Sequence, residues 1–280
     1  MQRFTYHCHT TFSDGKSTIE EMIKQAVEIG FTEIGITDHV EVHKKIFEAT
    51  KDFLQMGWGD LYSEDFPSML PRINKHINDI RHIAAQYPIN VLVGFEVDFF
   101  TYNGWLEGFK DFRKKIDVDY LITGNHFVSD KTCDNIFPVT TLAEHIDRQP
   151  SFDEYIKSHF SNIVKAIESG MFAFAAHLDF VRWSGLVGEF DYKDERMEII
   201  ETLAKTGTPT EINTKGLASI GDFYPAQWML KEMKNRKIPV ALSDDAHHIS
   251  QISKDFNKAE AMLEALDYKY RFDLKHLIKA

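Results

Sequence analysis

The sequence predicts a parallel α/β fold, with a closed or nearly closed barrel as the preferred arrangement. Short apolar runs recur along the 280 residues, and stretches with helical periodicity separate them. Strands that alternate with helices in this way pair in parallel, because each helix carries the chain back to the start of the next strand. The runs are apolar throughout, which is typical of strands buried on both faces.

Seven apolar runs are the predicted strands. In chain order they cover residues 4–9, 33–39, 89–97, 119–126, 172–179, 208–214 and 238–247. An open, doubly wound sheet is the alternative arrangement of the same elements. The first run lacks the Gly-x-Gly-x-x-Gly pattern, which disfavours the dinucleotide-binding form of such a sheet.

The helical stretches carry start and stop signals. Residues 17–30 place apolar side chains on one stripe, with Ser17 and Glu20 as the predicted capping box and Gly30 as the predicted stop. The other clear helical stretches are residues 152–170, 194–207 and 225–237. The first two of these end in glycine, and the last begins with a proline at the predicted first helical position.

Composition excludes several classes of protein. The chain has 32 basic and 43 acidic residues and a net charge of −11, which disfavours a nucleic-acid or anionic-membrane binder. A phosphorylated substrate stays compatible with this charge, because bound metals supply positive charge locally. The two cysteines, Cys8 and Cys133, form no disulfide framework, which suits a reducing compartment.

The chain is expected to be a single soluble domain over residues 1–280. It shows no low-complexity linker, no apolar signal segment at its start and no apolar run of membrane-spanning length. We therefore expect a cytoplasmic protein. Residues 40–68 and 127–150 lack a clear pattern and are candidate loops over a site, because long loops in compact domains are often functional.

Metal-capable side chains recur at the ends of the predicted strands, where the active sites of α/β barrels lie. Burying such polar groups unpaired costs roughly 2–7 kcal/mol each, so their repetition calls for a ligand. The candidate metal ligands are His7, His9, Asp14, His39, Glu96, His126, His177, Asp245 and His247. Imidazole with carboxylate suits Zn, Fe or Mn, and the set is large enough for two or three divalent ions.

The choice among neighbouring residues rests on spacing. His7 and His9 stand two apart on a predicted strand and so share a face. Asp245 is preferred over Asp244 because it stands two before His247. Asp14 is also compatible with a plain Asp-Gly turn, and Asp38 with a cap on the turn after its strand. Clustered divalent ions typically stabilise displacement at phosphorus, so phosphoester hydrolysis is the predicted chemistry.

The sequence resembles the polymerase-and-histidinol-phosphatase (PHP) superfamily. The motifs that carry the resemblance are "HCHTTFSDG", "TDH", "GFEVDF", "GNHFVSD", "HLDFVRW" and "SDDAHH", in this order from His7 to His248. The stretches "TEINTKG" and "YPAQWMLKEMKNRKIPVALSDDAHH" are similar to the histidinol-phosphate phosphatases of that superfamily. The resemblance implies a distorted (β/α)7 barrel with a trinuclear metal centre that hydrolyses L-histidinol phosphate in histidine biosynthesis.

The resemblance also implies how the ligands divide among three ions. His7, His9, Glu96 and Asp245 would surround one ion. Glu96, His126 and His177 would hold the second, with Glu96 as a bridge. Asp14, His39 and His247 would hold the third.

The predicted activity is that of a metal-dependent phosphomonoesterase acting on a small substrate. Arg182 is the candidate phosphate ligand, because its planar guanidinium matches phosphate in a bidentate way; a surface ion pair is its alternative role. Glu211, Asn213 and Lys215 are the weaker candidates for the polar groups of the substrate. The proton for the leaving group is left open among Asp244, His248 and water.

Four other functions are weighed against this one. A phosphodiesterase or exonuclease of the same superfamily would carry a basic path for nucleic acid, which the net charge of −11 disfavours. A non-catalytic metal-binding module would be expected to lack some ligands, whereas all nine positions are filled. An amidohydrolase-type enzyme would need fewer metals. A phosphatase of another small phosphomonoester is the nearest alternative.

Overall fold

The computed structural model describes residues 2–50, 61–102, 104–145 and 152–277. The strands are β1 (Phe4–Thr5), β2 (Glu33–Ile36), β3 (His39–Val42), β4 (Tyr62–Ser63), β5 (Asn90–Asp98), β6 (Tyr120–Gly124), β7 (Phe127–Ser129), β8 (Ile136–Pro138), β9 (Phe174–Ala175), β10 (Thr210–Asn213) and β11 (Val240–Ser243). All seven predicted strands are thus confirmed.

The α-helices alternate with these strands. They are α1 (Ile19–Glu28), α2 (Lys44–Thr50), α3 (Phe66–Ala84), α4 (Trp105–Arg113), α5 (Leu142–His145), α6 (Phe152–Glu168), α7 (Lys193–Thr206), α8 (Gly216–Ser219), α9 (Gln227–Asn235), α10 (Phe256–Ala265) and α11 (Leu274–Leu277). Short 3-10 helices cover Val139–Thr141, Phe180–Ser184 and Ile249–Gln251. Among the described residues, no helix is long and apolar enough to cross a membrane.

The chain divides into two compact units, and each is assembled from separate stretches of sequence. The first contains Met1–Val97, Tyr102–Leu121 and Ser243–Lys254. The second contains Asp98–Thr101, Ile122–Leu242 and Asp255–Ala280.

The first unit is built on parallel strands. Strand β2 pairs with β1 and with β5, and β3 pairs with β5 and with β4, all in parallel. The register aligns His39 with Glu96, so two predicted metal ligands are direct neighbours across the β3–β5 pair. Helices α1 and α3 contact each other and bury their apolar faces, with Ile23 and Ile73 fully inaccessible to solvent.

The second unit repeats the parallel pattern. Strand β9 pairs in parallel with β6 and with β10. Helices α6 and α7 contact each other, and α6 also packs against β7. Burial of Phe160, Ile163 and Ile199 forms part of the core of this unit.

Two segments without a clear sequence pattern contain regular structure, which corrects the expectation of loops. Within 40–68 lie part of β3, helix α2, strand β4 and the start of α3; residues 51–60 lie outside the described residues. Within 127–150 lie the antiparallel hairpin of β7 and β8 and the short helix α5; residues 146–150 lie outside the described residues. These strands are only two to four residues long, too short to show alternation.

Two helix starts also differ from the sequence-based prediction. The capping box of α1 is formed by Thr18 and Glu21, one residue later than predicted, because the Ser17 hydroxyl instead accepts the Ile249 N–H at 3.2 Å. Pro225 precedes α9, which begins at Gln227 with Ala226 as its N-cap. The predicted stop at Gly30 is confirmed by its left-handed φ of 80°, which glycine adopts without strain.

Candidate metal centre

The two histidines after β1 lie beside the segment that follows β11. The His9 N–H donates to the Ala246 carbonyl at 2.8 Å, and the Ala246 N–H donates to the His7 carbonyl at 3.3 Å. Cys8 and Ala246 thereby form a parallel bridge. Because alternate residues of an extended segment point to the same side, the rings of His7 and His9 project together toward the neighbours of Ala246.

Asp245 and Glu96 bring carboxylates to this pair of rings. Asp245 Oδ1 lies 3.7 Å from His7 Nε2 and 3.2 Å from His9 Nε2. Glu96 Oε2 lies 3.1 Å from His7 Nε2 and 3.4 Å from His9 Nε2. The ligand atoms of His7, His9 and Asp245 lie within 4.8 Å of one another, a spacing that fits coordination of one ion.

A second group of donors surrounds Asp14 in the loop that follows His9. Asp14 Oδ1 lies 3.4 Å from His39 Nε2 and 3.9 Å from His9 Nδ1. Its other oxygen, Oδ2, lies 3.0 Å from His247 Nε2. The ligand atoms of these four residues also lie within 4.8 Å of one another. His9 belongs to both groups, so the first unit offers two adjoining sites.

Glu96 connects the two groups. Its Oε2 lies 3.2 Å from His39 Nδ1 in addition to its contacts with the rings of His7 and His9. One carboxylate oxygen therefore faces three imidazoles. This is the arrangement expected of a carboxylate that bridges two cations.

The environment of the His9 ring tests whether this site is suited to a metal ion. The side chain is fully buried, and neither of its ring nitrogens makes a hydrogen bond within the described part of the chain. Burial, together with the nearby rings of His247 and His39, lowers the pKa of His9 to about 3. The ring is thus neutral at pH 7, the form that binds metal, and a metal would satisfy the buried nitrogens.

The Asp14 carboxylate has the complementary charge state. Burial acts to raise the pKa of Asp14, but the rings of His39 and His247 outweigh it and hold the pKa far below its usual range. The neutral His9 ring beside the ionised Asp14 carboxylate is a donor pair suited to a divalent cation.

Asp38 has a supporting role beside this site. Its Oδ1 accepts the Thr10 N–H at 2.7 Å and the Ser13 hydroxyl at 2.5 Å. Its Oδ2 accepts the Thr10 hydroxyl at 2.8 Å and lies 2.8 Å from His76 Nε2. Both oxygens are thus occupied by protein donors, so Asp38 orders the loop before Asp14.

In the second unit, His126 and His177 lie next to each other, with ring centroids 5.1 Å apart. Asp98 Oδ1 accepts the His126 N–H at 2.7 Å, and Asp98 Oδ2 lies 2.7 Å from His126 Nδ1. A carboxylate in this position keeps the proton on Nδ1 and directs the Nε2 lone pair to metal binding.

Most of the chain matches one family model, that of the PHP domain, over residues 5–215. The chain belongs to the PHP family. Asp245 and His247 lie beyond the matched range, but both contact His9: the Asp245 carboxylate at 3.2 Å and the His247 ring at a centroid distance of 4.2 Å. The candidate centre of this PHP protein therefore extends past the matched residues.

Relatives of this PHP protein bear the name histidinol-phosphatase. The histidinol-phosphatase of Bacillus subtilis is 21% identical over 290 residues, which cover 94% of this chain and 99% of the relative. A protein of Deinococcus radiodurans named "Probable histidinol-phosphatase" is 23% identical over 273 residues, which cover 93% of this chain and 92% of the relative.

A solved structure confirms the fold of this PHP protein. The histidinol phosphate phosphatase of Lactococcus lactis, complexed with Zn, L-histidinol and phosphate, has a TM-score of 0.68 at 18% identity. The match covers 95% of this chain and 94% of that one. This likeness confirms the predicted α/β fold of the distorted (β/α)7 barrel type.

The predicted substrate residues on β10 form a buried network in the PHP protein. Glu211 Oε1 accepts the His177 N–H at 3.0 Å and the Asn213 side-chain amide at 2.8 Å. The Lys215 N–H donates to Asn213 Oδ1 at 3.0 Å. Glu211 and Asn213 thus order the ends of β9 and β10, and their contacts with substrate stay a prediction.

Arg182 lies in the 3-10 helix Phe180–Ser184 and is engaged by several acceptors. Its NH1 group lies 3.3 Å from Asp179 Oδ2 and donates to the Phe223 carbonyl at 3.2 Å. Its NH2 group lies 2.8 Å from Asp222 Oδ2. The side chain is only 9% exposed, so this is a largely buried ion pair; phosphate binding by Arg182 stays a prediction.

The two candidate proton donors have different surroundings. Asp244 is buried, and its Oδ2 accepts the Ser253 N–H at 2.6 Å. Burial raises the pKa of Asp244 to about 7, although bonds from Ser253 and Thr5 act in the opposite direction. His248 is half-buried, and its Nδ1 accepts the Ser250 N–H at 3.2 Å and lies 2.8 Å from Ser250 Oγ.

Sequence reasoning missed three polar residues that support the candidate centre. Glu41 Oε1 lies 3.6 Å from His39 Nδ1, Asp98 pairs with His126, and His76 pairs with Asp38. Glu41 and Asp98 stand two residues after His39 and Glu96, so the spacing used for His7 and His9 would have found both. No local signal identifies His76, because its helix meets the site only through tertiary packing.

Proposed function

We propose that this PHP protein is a metal-dependent phosphomonoesterase that hydrolyses L-histidinol phosphate to L-histidinol and phosphate, a step of histidine biosynthesis. The observation that carries the proposal is the buried His9 ring, whose nitrogens face the carboxylates of Asp14, Glu96 and Asp245. The Lactococcus lactis relative, solved with Zn, L-histidinol and phosphate, supports the substrate. In this proposal residues 1–280 act as a single catalytic domain.

The cofactors we propose are two or three divalent ions, with Zn as the first choice and Fe or Mn as the others. His7, His9, Glu96 and Asp245 would hold one ion, and Asp14, His39 and His247 another. His126 and His177 are the proposed ligands of a further ion. When bound, the ions supply positive charge to the phosphoryl oxygens and lower the pKa of a coordinated water.

The protein residues have separate tasks in this reaction. We propose that Arg182 binds the phosphoryl group, in addition to its pairing with Asp179 and Asp222, because a guanidinium has five N–H donors and not all of them are used by these partners. Glu211 and Asn213 would accept from the protonated amine and imidazole of the substrate. Lys215 is the remaining candidate for contact with the phosphate.

The leaving alkoxide needs a proton, and the donors we propose are Asp244, His248 and water. His248 would donate a proton only as an imidazolium, whereas in this structure its Nδ1 accepts the Ser250 N–H. Asp244 already accepts the Ser253 N–H and the Thr5 hydroxyl, and these bonds fix both of its oxygens in structural contacts.

The deciding experiment compares substrates on the metal-loaded protein. The value of kcat/KM should be at least about tenfold higher for L-histidinol phosphate than for p-nitrophenyl phosphate. This ratio corresponds to about 1.4 kcal/mol of differential transition-state binding. A dinucleotide should be a poor substrate, because the net charge of −11 disfavours a nucleic-acid backbone. Equal rates on both monoesters would indicate a general phosphatase, and preference for the dinucleotide would indicate a phosphodiesterase.

A pair of histidine variants provides the control. His9→Gln should lose bound metal and turnover together, because it removes imidazole nitrogens from both groups of ligands. His82→Gln, an exposed histidine on α3, should keep both. Full activity in metal-free protein would refute the proposed mechanism.

A further inference from the structure

Helix α3 buries one histidine on its apolar face. His76 is only 3% exposed and stands among Ile73, Ile77 and Ile80, which are also buried. Burial of a polar ring on such a face costs free energy unless the ring finds a partner. The partner is Asp38, whose Oδ2 lies 2.8 Å from His76 Nε2.

Asp38 connects His76 to the loop that begins at Thr10. The same carboxylate that pairs with His76 accepts both the N–H and the hydroxyl of Thr10, and it also accepts the hydroxyl of Ser13. These four contacts occupy both oxygens. The position of His76 therefore determines where the carboxylate, and with it the loop, can lie.

The loop has a second anchor on the same helix. The Phe12 ring stacks on the His76 ring with centroids 3.7 Å apart and an interplanar angle of 10°. The Arg72 guanidinium lies 4.1 Å from the centroid of the Phe12 ring, and its NH2 group donates to the Phe12 carbonyl at 2.5 Å. Arg72 and His76 are four residues apart, so they share one face of α3.

The anchored loop carries Asp14 into the candidate metal centre. Asp14 is the only carboxylate of the group formed with His9, His39 and His247. The site formed by His7, His9 and Asp245 contains no residue of this loop, which begins one residue after His9. A shift of the loop would therefore weaken one group of ligands and spare most of the other.

We propose that His76 is a positioning residue for the metal centre: through Asp38 and Phe12 it holds the loop that presents Asp14 to an ion. The proposal rests on the metal centre of the proposed function. It assigns to α3 a role in metal binding without any direct contact between the helix and the ion. Outer partners of metal ligands typically change metal affinity by about 10- to 100-fold.

The test measures Zn²⁺ binding by calorimetric titration of metal-free protein. His76→Leu removes the ring and its nitrogen, and we expect the affinity of one Zn²⁺ site to fall about tenfold or more while the other site changes little. His76→Gln keeps a donor near the position of Nε2 and should restore much of the loss. His82→Leu makes the same change at an exposed position of the same helix and should bind Zn²⁺ as the parent does.

The gain in unfolding free energy on adding Zn²⁺ separates positioning from a merely structural role. A positioning role predicts that His76→Leu gains less from Zn²⁺ than the parent, because binding to the folded state is weaker. A merely structural role predicts that His76→Leu has a lower free energy of unfolding than the parent but gains as much from Zn²⁺. If His76→Leu does not fold, Arg72→Met removes only the Arg72 contacts with Phe12 and should weaken the same site.

The outcomes distinguish this inference from the proposed function. Failure of the parent protein to bind Zn²⁺, Fe²⁺ or Mn²⁺ would refute the proposed function itself. Normal binding by the parent together with unchanged binding by His76→Leu and Arg72→Met would overturn only the role of His76. Equal loss at every site would also overturn it, because displacement of the loop should weaken the site of Asp14 more than the other site.

Discussion

Gly15 lies where the loop of Asp14 turns back on itself. A Cβ atom at this position would lie 2.6 Å from the His9 carbonyl oxygen and 2.7 Å from the His9 carbonyl carbon. These are backbone atoms and cannot move aside cheaply. Gly15→Ala should therefore displace Asp14 and lower Zn²⁺ affinity on the order of tenfold, which a calorimetric titration would measure.

Gly188→Ala is the matched control for this substitution. Its nearest neighbour would be the Asp191 carboxylate at 3.3 Å, the end of a flexible side chain that can shift. We expect normal Zn²⁺ affinity for this variant. Unchanged affinity in Gly15→Ala would show that the loop tolerates the displacement and that its tight turn is unimportant for binding.

Steady-state kinetics of an Arg182 variant would show whether this residue binds the phosphoryl group. If it binds the phosphoryl group, Arg182→Met should lose on the order of 10²-fold in kcat/KM with metal content unchanged, because a charge-assisted phosphate contact contributes a few kcal/mol. Arg236→Met removes a surface guanidinium paired with Glu201 and Glu232 and should keep full activity. An active Arg182→Met would leave Arg182 with its ion pairs to Asp179 and Asp222 as its whole function.

At the scale of elements, α6 is joined to β7 by a buried histidine. His159 is 2% exposed, and its Nδ1 lies 2.8 Å from the Phe127 carbonyl. Burial lowers the pKa of His159 from 6.5 to about 4, although the bond to Phe127 acts in the opposite direction. The folded protein therefore holds this ring neutral under conditions in which the unfolded chain protonates it.

The sign of the resulting pH dependence follows from linkage. The neutral His159 ring contributes to the free energy of unfolding fully above pH 6.5, and this contribution is lost as the pH falls toward 4. Within this window the free energy of unfolding changes by up to about 1.4 kcal/mol per pH unit. His159→Phe should reduce the slope of unfolding free energy against pH in this window. Urea unfolding of both metal-free proteins would measure it, and equal slopes would contradict the assignment.

The elements also show what could be predicted from the sequence. The gathering of the strand-end side chains of His7, His9 and His247 was predictable because a strand repeats every two residues and because buried polar groups need partners. Short strands such as β3 and β7 were missed because three or four residues carry no measurable alternation. The link from His76 to Asp38 was missed because it joins residues 38 positions apart, through packing that no local pattern records.

At the scale of the whole molecule, metal and stability should be coupled. The candidate ligands gather only in the folded chain, so an ion that binds them stabilises the fold by mass action, by about 2.7 kcal/mol at 100 times Kd. Removing metal with a chelator should lower Tm and abolish turnover, and Zn, Fe or Mn should restore both. Thermal unfolding with and without Zn²⁺ would measure the effect. An unchanged Tm would contradict binding at these residues.

The bridge between Cys8 and Ala246 has a consequence for biosynthesis of the protein. It joins the segment of His7 and His9 to the segment of Asp245 and His247. The contact of Asp14 with His247 likewise joins residues 233 positions apart. During translation the chain emerges from its N-terminus, so His7 and His9 leave the ribosome long before Asp245 and His247 exist. The nascent chain cannot assemble the complete set of candidate ligands until His247 has been synthesised. An ion that needs ligands from both segments therefore cannot be fully coordinated while only the N-terminal part of the chain exists.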